Sequence, residues 1–180
     1  MLYKNAVVAV FDTHQGAESA VKELQTANFD MKQMSIVAKD YQTDENVVGF
    51  YNSGDRMKYW GKIGAFWGGL WGLLFGSGFF LIPGVGPVLV AGHLVTYIVG
   101  ALEGAAIYGG LTALGAGLYG LGIPKNSVLE YETAVRCNKF LLVAHGTSLE
   151  VERVKQILSQ SSSTDVKSFE LEQAQMAGVK

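Results

Sequence analysis

Hydrophobic and polar positions keep two different rhythms at the ends of this chain, and the rhythm is lost in the middle. Residues 5–37, NAVVAVFDTHQGAESAVKELQTANFDMKQMSIV, open with a short apolar run that a turn interrupts. Ala17, Ala20, Val21 and Leu24 then recur at i, i+3, i+4 and i+7, which sets them on one face of a helix. A second short apolar run closes the segment, so the pattern predicts β-α-β, with Thr13 or Asp12 capping the helix.

The C-terminal stretch, NKFLLVAHGTSLEVERVKQILSQSSSTDVKSFELE, repeats the pattern. A shift of 133 positions carries Asn5 onto Asn138, Val10 onto Val143, Val21 onto Val154, Lys22 onto Lys155 and Ser35 onto Ser168. Thr147 and Glu150 form a capping box that fixes the start of the second helix. Alone, each half would leave a short sheet with open edges and an uncovered face. The halves therefore predict one α+β domain, a ferredoxin-like split β-α-β repeat with two helices on one face of a four-stranded antiparallel sheet. Two independent small domains are the alternative.

Between the halves the periodicity vanishes. Ile63 to Leu102 carries no formal charge and is broken only by IPGVGP at 82–87; Glu103 is the one charged residue between Lys62 and Lys125. A bilayer span needs about 20 apolar residues for a core of about 30 Å, and Ile63–Leu81 supplies nineteen. The expectation is an inserted apolar helical hairpin embedded in a membrane and turning at IPGVGP. Gly64, Gly68, Gly72 and Gly76 recur every four residues and would line one slowly drifting strip of the first helix; Gly100 and Gly104 would do the same on the second. An interior glycine costs about 1 kcal/mol in a helix in water, whereas small residues let helices approach closely in lipid. The ladder is expected to be a helix-packing surface.

The expected layout is an N-terminal β-α-β half with linker (1–58), the glycine-rich insertion (59–123), a C-terminal half with a leading helix (124–173) and a tail (174–180). Arg56, Lys58 and Lys62 precede the insertion and Lys125 follows it, which by the positive-inside rule puts both halves on the cytoplasmic side of a bacterial inner membrane. A soluble cytoplasmic assembly is the alternative.

Composition narrows the function classes. The net charge of −2 over 180 residues implies no nucleic-acid surface. The single cysteine, Cys137, allows no internal disulfide and suits a reducing compartment. His14, His93 and His145 lack metal-ligand spacing, and His14 and His145 read as turn residues after matching strands. GSG at 76–78 and GVG at 84–86 lack the lysine and the strand-to-helix setting of a phosphate loop. No nucleophile–base constellation is visible, so neither a catalytic residue nor a cofactor or metal is expected. Within the apolar insertion, Glu103, His93 and Lys62 form the candidate intramembrane polar site.

VVAVFDTHQGAESAVKELQTANFDMKQMSIVAKD resembles the domain of general stress proteins of the 17M type. GDRMKYWGKIGAFWGGLWGLLFG and GIPKNSVLEYETAVRCNKFLLVAHGT resemble the central and C-terminal stretches of a bacterial family of uncharacterised membrane proteins with glycine zippers. The resemblance implies a stress link and a membrane location, and it brings no assigned activity. The function expected is a non-enzymatic, membrane-associated homo-oligomer with a structural or scaffold role, its partners being membrane lipid and copies of itself. Two alternatives stand beside it: a channel or transporter lined by Glu103 and His93, and a soluble shell whose apolar helices are buried between subunits.

Overall fold

A computed structural model describes residues 5–39, 77–103 and 111–170. In chain order these form β1 (Asn5–Phe11), α1 (His14–Thr26), β2 (Met34–Lys39), β3 (Ser77–Ile82), β4 (Gly86–Gly92), α2 (Leu94–Glu103), α3 (Ala113–Gly120), α4 (Lys125–Arg136), β5 (Phe140–Gly146), α5 (Ser148–Gln160) and β6 (Asp165–Glu170). All six strands join one antiparallel sheet in the order β3-β4-β2-β5-β1-β6. Its last four positions are the strands of the two predicted halves, interleaved as a split β-α-β repeat requires. Val8 lies opposite Val143, and Phe11 opposite Phe140.

Local chemistry sets the helix starts as expected. Thr13 Oγ1 accepts from the Gly16 amide at 3.1 Å. Thr147 and Glu150 close their capping box, with Glu150 Oε2 accepting from the Thr147 amide at 2.8 Å. Val21 and Val154, equivalent under the repeat, both turn into the layer where α1 and α5 cover Val7, Ala9, Ile36 and Leu142.

The insertion corrects the sequence reading. IPGVGP joins two strands, not two helices. The Val85 amide donates to the Ile82 carbonyl at 3.0 Å, and Gly84 and Gly86 take positive φ values that close the turn without steric cost. The apolar run after it divides at Gly92 into β4 and α2, where the expectation was the second helix of the hairpin. Six residues of Ile63–Leu81 and its continuation thus belong to β3, and fourteen remain from Ile63 to Gly76. Those fourteen lie outside the described residues. The ten residues of α2 span about 15 Å. Among the described residues no helix is long and apolar enough to cross a membrane.

Apolar residues of the insertion, joined by the leading helix of the C-terminal half, cover the second face of the sheet. Leu94 and Ile98 of α2, Leu114 and Leu118 of α3, and Val128, Tyr131 and Val135 of α4 pack over Val8, Val10, Val37, Val90, Leu141 and Val143. The result is three layers, helices on both sides of the sheet, in place of the predicted two. Every residue of β1 and β5 is buried.

Candidate functional site

Of the residues singled out in sequence, His93, Gly100 and Glu103 are among the described residues. Gly64, Gly68, Gly72, Gly76, Gly104 and Lys62 lie outside the described residues. Gly100 sits on the outer side of α2, with nothing within 4 Å of where a Cβ would stand. His93 is exposed in the turn before α2, where its carbonyl accepts from the Thr96 amide at 3.2 Å and its ring lies 6.3 Å from that of Tyr97. Glu103 is the last residue of α2.

Three other features stand out. The first is Glu132, only 4% exposed. Thr112, the N-cap of α3, donates its hydroxyl to Glu132 Oε1, and Arg136 Nη2 lies 3.8 Å from Oε2. A carboxylate at a helix N-terminus is favoured by the unpaired amides and the dipole there. Glu132 therefore ties α4 to the start of α3 as a satisfied structural group.

The second is His145, which lies within β5, not in a turn, and is 4% exposed. Its Nδ1 lies 3.3 Å from the Gln33 carbonyl oxygen. Burial pushes the imidazole down to about 4, against a smaller opposing effect of the Gln33 carbonyl. It is a neutral core residue at neutral pH.

The third is the contrast between the two edges of the sheet. β6, DVKSFE, carries Asp165, Lys167 and Glu170, and Lys167 is paired with Glu130 at 2.6 Å and Asp165 at 3.1 Å. Charges of this kind block further strand addition. β3, SGFFLI, has none. Its Ile82 turns into the core layer under α2–α4, while Leu81 points to the opposite face and is 74% exposed. Beside it on that face Pro87 and Leu89 are only half-buried, since α1 and α5 cover the sheet no farther than β2 and Ala91. On the other face, Tyr97 and Val99 of α2 are 38% and 39% exposed. An uncharged edge with an apolar flank is thus the surface that distinguishes this chain.

Sequence reasoning missed this edge although a signal was present: FFLI and VLVA flank PGVGP, which is the composition of a β-hairpin.

Residues 6–80 match the family described as the heat-induced stress protein YflT domain. The match takes in β1, α1 and β2 and ends inside β3, covering under half of the chain. It relates the chain to the general stress proteins and carries no information on membranes or glycine packing. Neither the curated proteins nor the solved structures provide a match.

Proposed function

We propose that this chain, which carries a stress-protein domain, works by self-association and not by catalysis, with copies meeting along the β3 edge. The asymmetry of the two sheet edges carries the reading: one is charged and paired, the other is six uncharged residues, of which Leu81 is 74% exposed. A two-fold arrangement would set β3 antiparallel to β3 of a second copy. Such an isologous contact brings no like charges together and satisfies the outward backbone groups of both strands. Leu81, Pro87 and Leu89 would then form a continuous apolar face across the joint. In this reading the scaffold role expected from sequence is kept as a proposal, with the β-hairpin in place of a helical one as the joining element.

Size-exclusion chromatography with light scattering, on protein prepared without detergent, tests the reading. The wild type should exceed the 19.4 kDa of one copy, and Leu81→Lys, which puts a charge beside the edge at an exposed site, should run as a folded monomer. A wild-type monomer at tens of micromolar would end the proposal.

A further inference from the structure

Beyond β2 the described residues cover the sheet on one face only. Val88 and Val90 of β4 are buried under the layer of α2–α4. Leu81, Pro87 and Leu89 face the side of α1 and α5, whose cover ends at Ala38 and Ala91. A sheet face made of apolar side chains is stable only when another element packs on it.

The topology says which part of the chain crosses there. β2 and β3 run parallel with β4 between them, and the 37 residues that join Lys39 to Ser77 lie outside the described residues. Their two ends define the path. Lys39 pairs with Val88, toward the turn of the hairpin, and Ser77 with Ala91, at its open end. The connection must therefore return the whole length of β3, about 20 Å for its six residues, while passing two strands sideways. The step from β2 to β3 repeats that from β1 to β2, with the same direction, the same sense across the sheet and one antiparallel strand between. α1 makes that earlier crossing and α5 its equivalent from β5 to β6, both on one face. Simple crossovers between parallel strands keep one hand in nearly all sheets, and the same hand carries residues 40–76 over this same face. The connection from β4 to β5 has the opposite hand, and its helices α2–α4 already fill the other face.

Composition agrees. The 14 residues next to β3, IGAFWGGLWGLLFG at 63–76, are uncharged and include Phe66, Trp67, Trp71 and Phe75. We propose that this segment of the chain itself docks on the sheet face of Leu81, Pro87 and Leu89, completing the layer that α1 and α5 begin. The inference does not rest on the β3 joint: the segment lies on the face of the strand, whereas the joint uses the backbone groups at its edge.

Thiol reactivity tests it. In a Cys137→Ser background, Leu81→Cys and Thr96→Cys, the latter at an exposed site of α2 across the sheet, are alkylated with N-ethylmaleimide in the full chain prepared without detergent. Leu81→Cys should react at least about tenfold more slowly than Thr96→Cys, because its thiol is reached only when the segment leaves. Trp67→Ala together with Trp71→Ala should restore the Leu81→Cys rate and leave that of Thr96→Cys unchanged. The reciprocal measurement uses Trp60→Phe protein, in which both remaining tryptophans belong to the segment. There Leu89→Lys should shift the tryptophan emission to the red. A Leu81→Cys rate equal to that of Thr96→Cys overturns the proposal, as does protection that persists without Trp67 and Trp71, or emission that Leu89→Lys leaves unmoved. Protection that vanishes on dilution belongs to a second copy, and emission that turns blue only with phosphatidylcholine vesicles puts the segment in lipid; either overturns it too. Light scattering on the same samples keeps the two readings apart: a monomer with protected Leu81→Cys ends the joint alone, and an oligomer in which the double tryptophan variant changes nothing ends the docking alone.

Discussion

Acid should unfold this protein through His145 well before its carboxylates are protonated. In the folded chain the imidazole is 4% exposed and burial holds its pKa down to about 4, against 6.5 for the group in an open chain. Between those two values the unfolded state binds more protons than the folded one. Stability must therefore fall as pH falls: the contribution of neutral His145 is complete above about 6.5 and is lost progressively down to about 4. At about 1.36 kcal/mol per pH unit, the interval amounts to about 3 kcal/mol, a large part of the stability of an ordinary domain. His14, lowered by its own burial, adds to the loss in the same direction. Asp12, which its hydrogen bond to Lys139 holds below the usual carboxylate range, contributes only at lower pH. The assay is urea unfolding followed by circular dichroism at pH 7.5, 6.5, 5.5 and 4.5, on the wild type and on His145→Gln, whose side chain cannot charge. Whatever the substitution costs at pH 7.5, the wild type should lose about 3 kcal/mol across the series and the variant much less. Parallel pH curves for the two proteins, or a His145 resonance titrating near 6.5, would refute the reasoning.

Gly92→Ala should be severely destabilising, by more than about 3 kcal/mol, because the residue has a φ of +93° and a Cβ there would meet the Met34 carbonyl and stand 2.8 Å from Ser35 Cα. Thermal melting should show a drop of at least about 6–12 °C or no soluble protein; a drop of under 2 °C would mean that β4 does not dock on β2 at this register. In a Cys137→Ser background, oxidation during refolding should join Val8→Cys to Val143→Cys, which lie directly opposite, faster than Val8→Cys to Leu141→Cys, a diagonal pair. The reverse order of rates would put β1 and β5 two residues out of register.

The two terminal β-α-β units were legible because each announces itself locally. The stripe Ala17–Ala20–Val21–Leu24, the capping box at Thr147 and the short apolar runs at Val7–Val10 and Leu141–Ala144 all point to the elements found. The 133-residue shift is off by two for the strands, since β1 starts at Asn5 and β5 at Phe140, which preserves the face each side chain points to. The insertion was misread for a physical reason. Its exposed and half-exposed positions, Leu81, Pro87, Leu89, Tyr97 and Val99, are themselves apolar, so no polar face marks the helical or the strand period, and length alone favoured a span. The turn chemistry of PGVG and the break at Gly92 held the better information. Of the polar groups that mattered, His145 was not legible, because the Gln33 carbonyl beside it is brought there only by the fold.

β1 sits between β5 and β6, the last two strands of the chain. During synthesis it leaves the ribosome with neither neighbour in existence, and about 135 residues must follow before its first partner at Phe140 is made. At 5–20 residues per second that wait is roughly 7 to 27 s, in which a strand apolar in all but Asn5 has no native pairing to enter. A stress-protein domain that opens the chain therefore cannot mature ahead of the rest. Truncated chains should be degraded or held by chaperones, and only the finished polypeptide should accumulate.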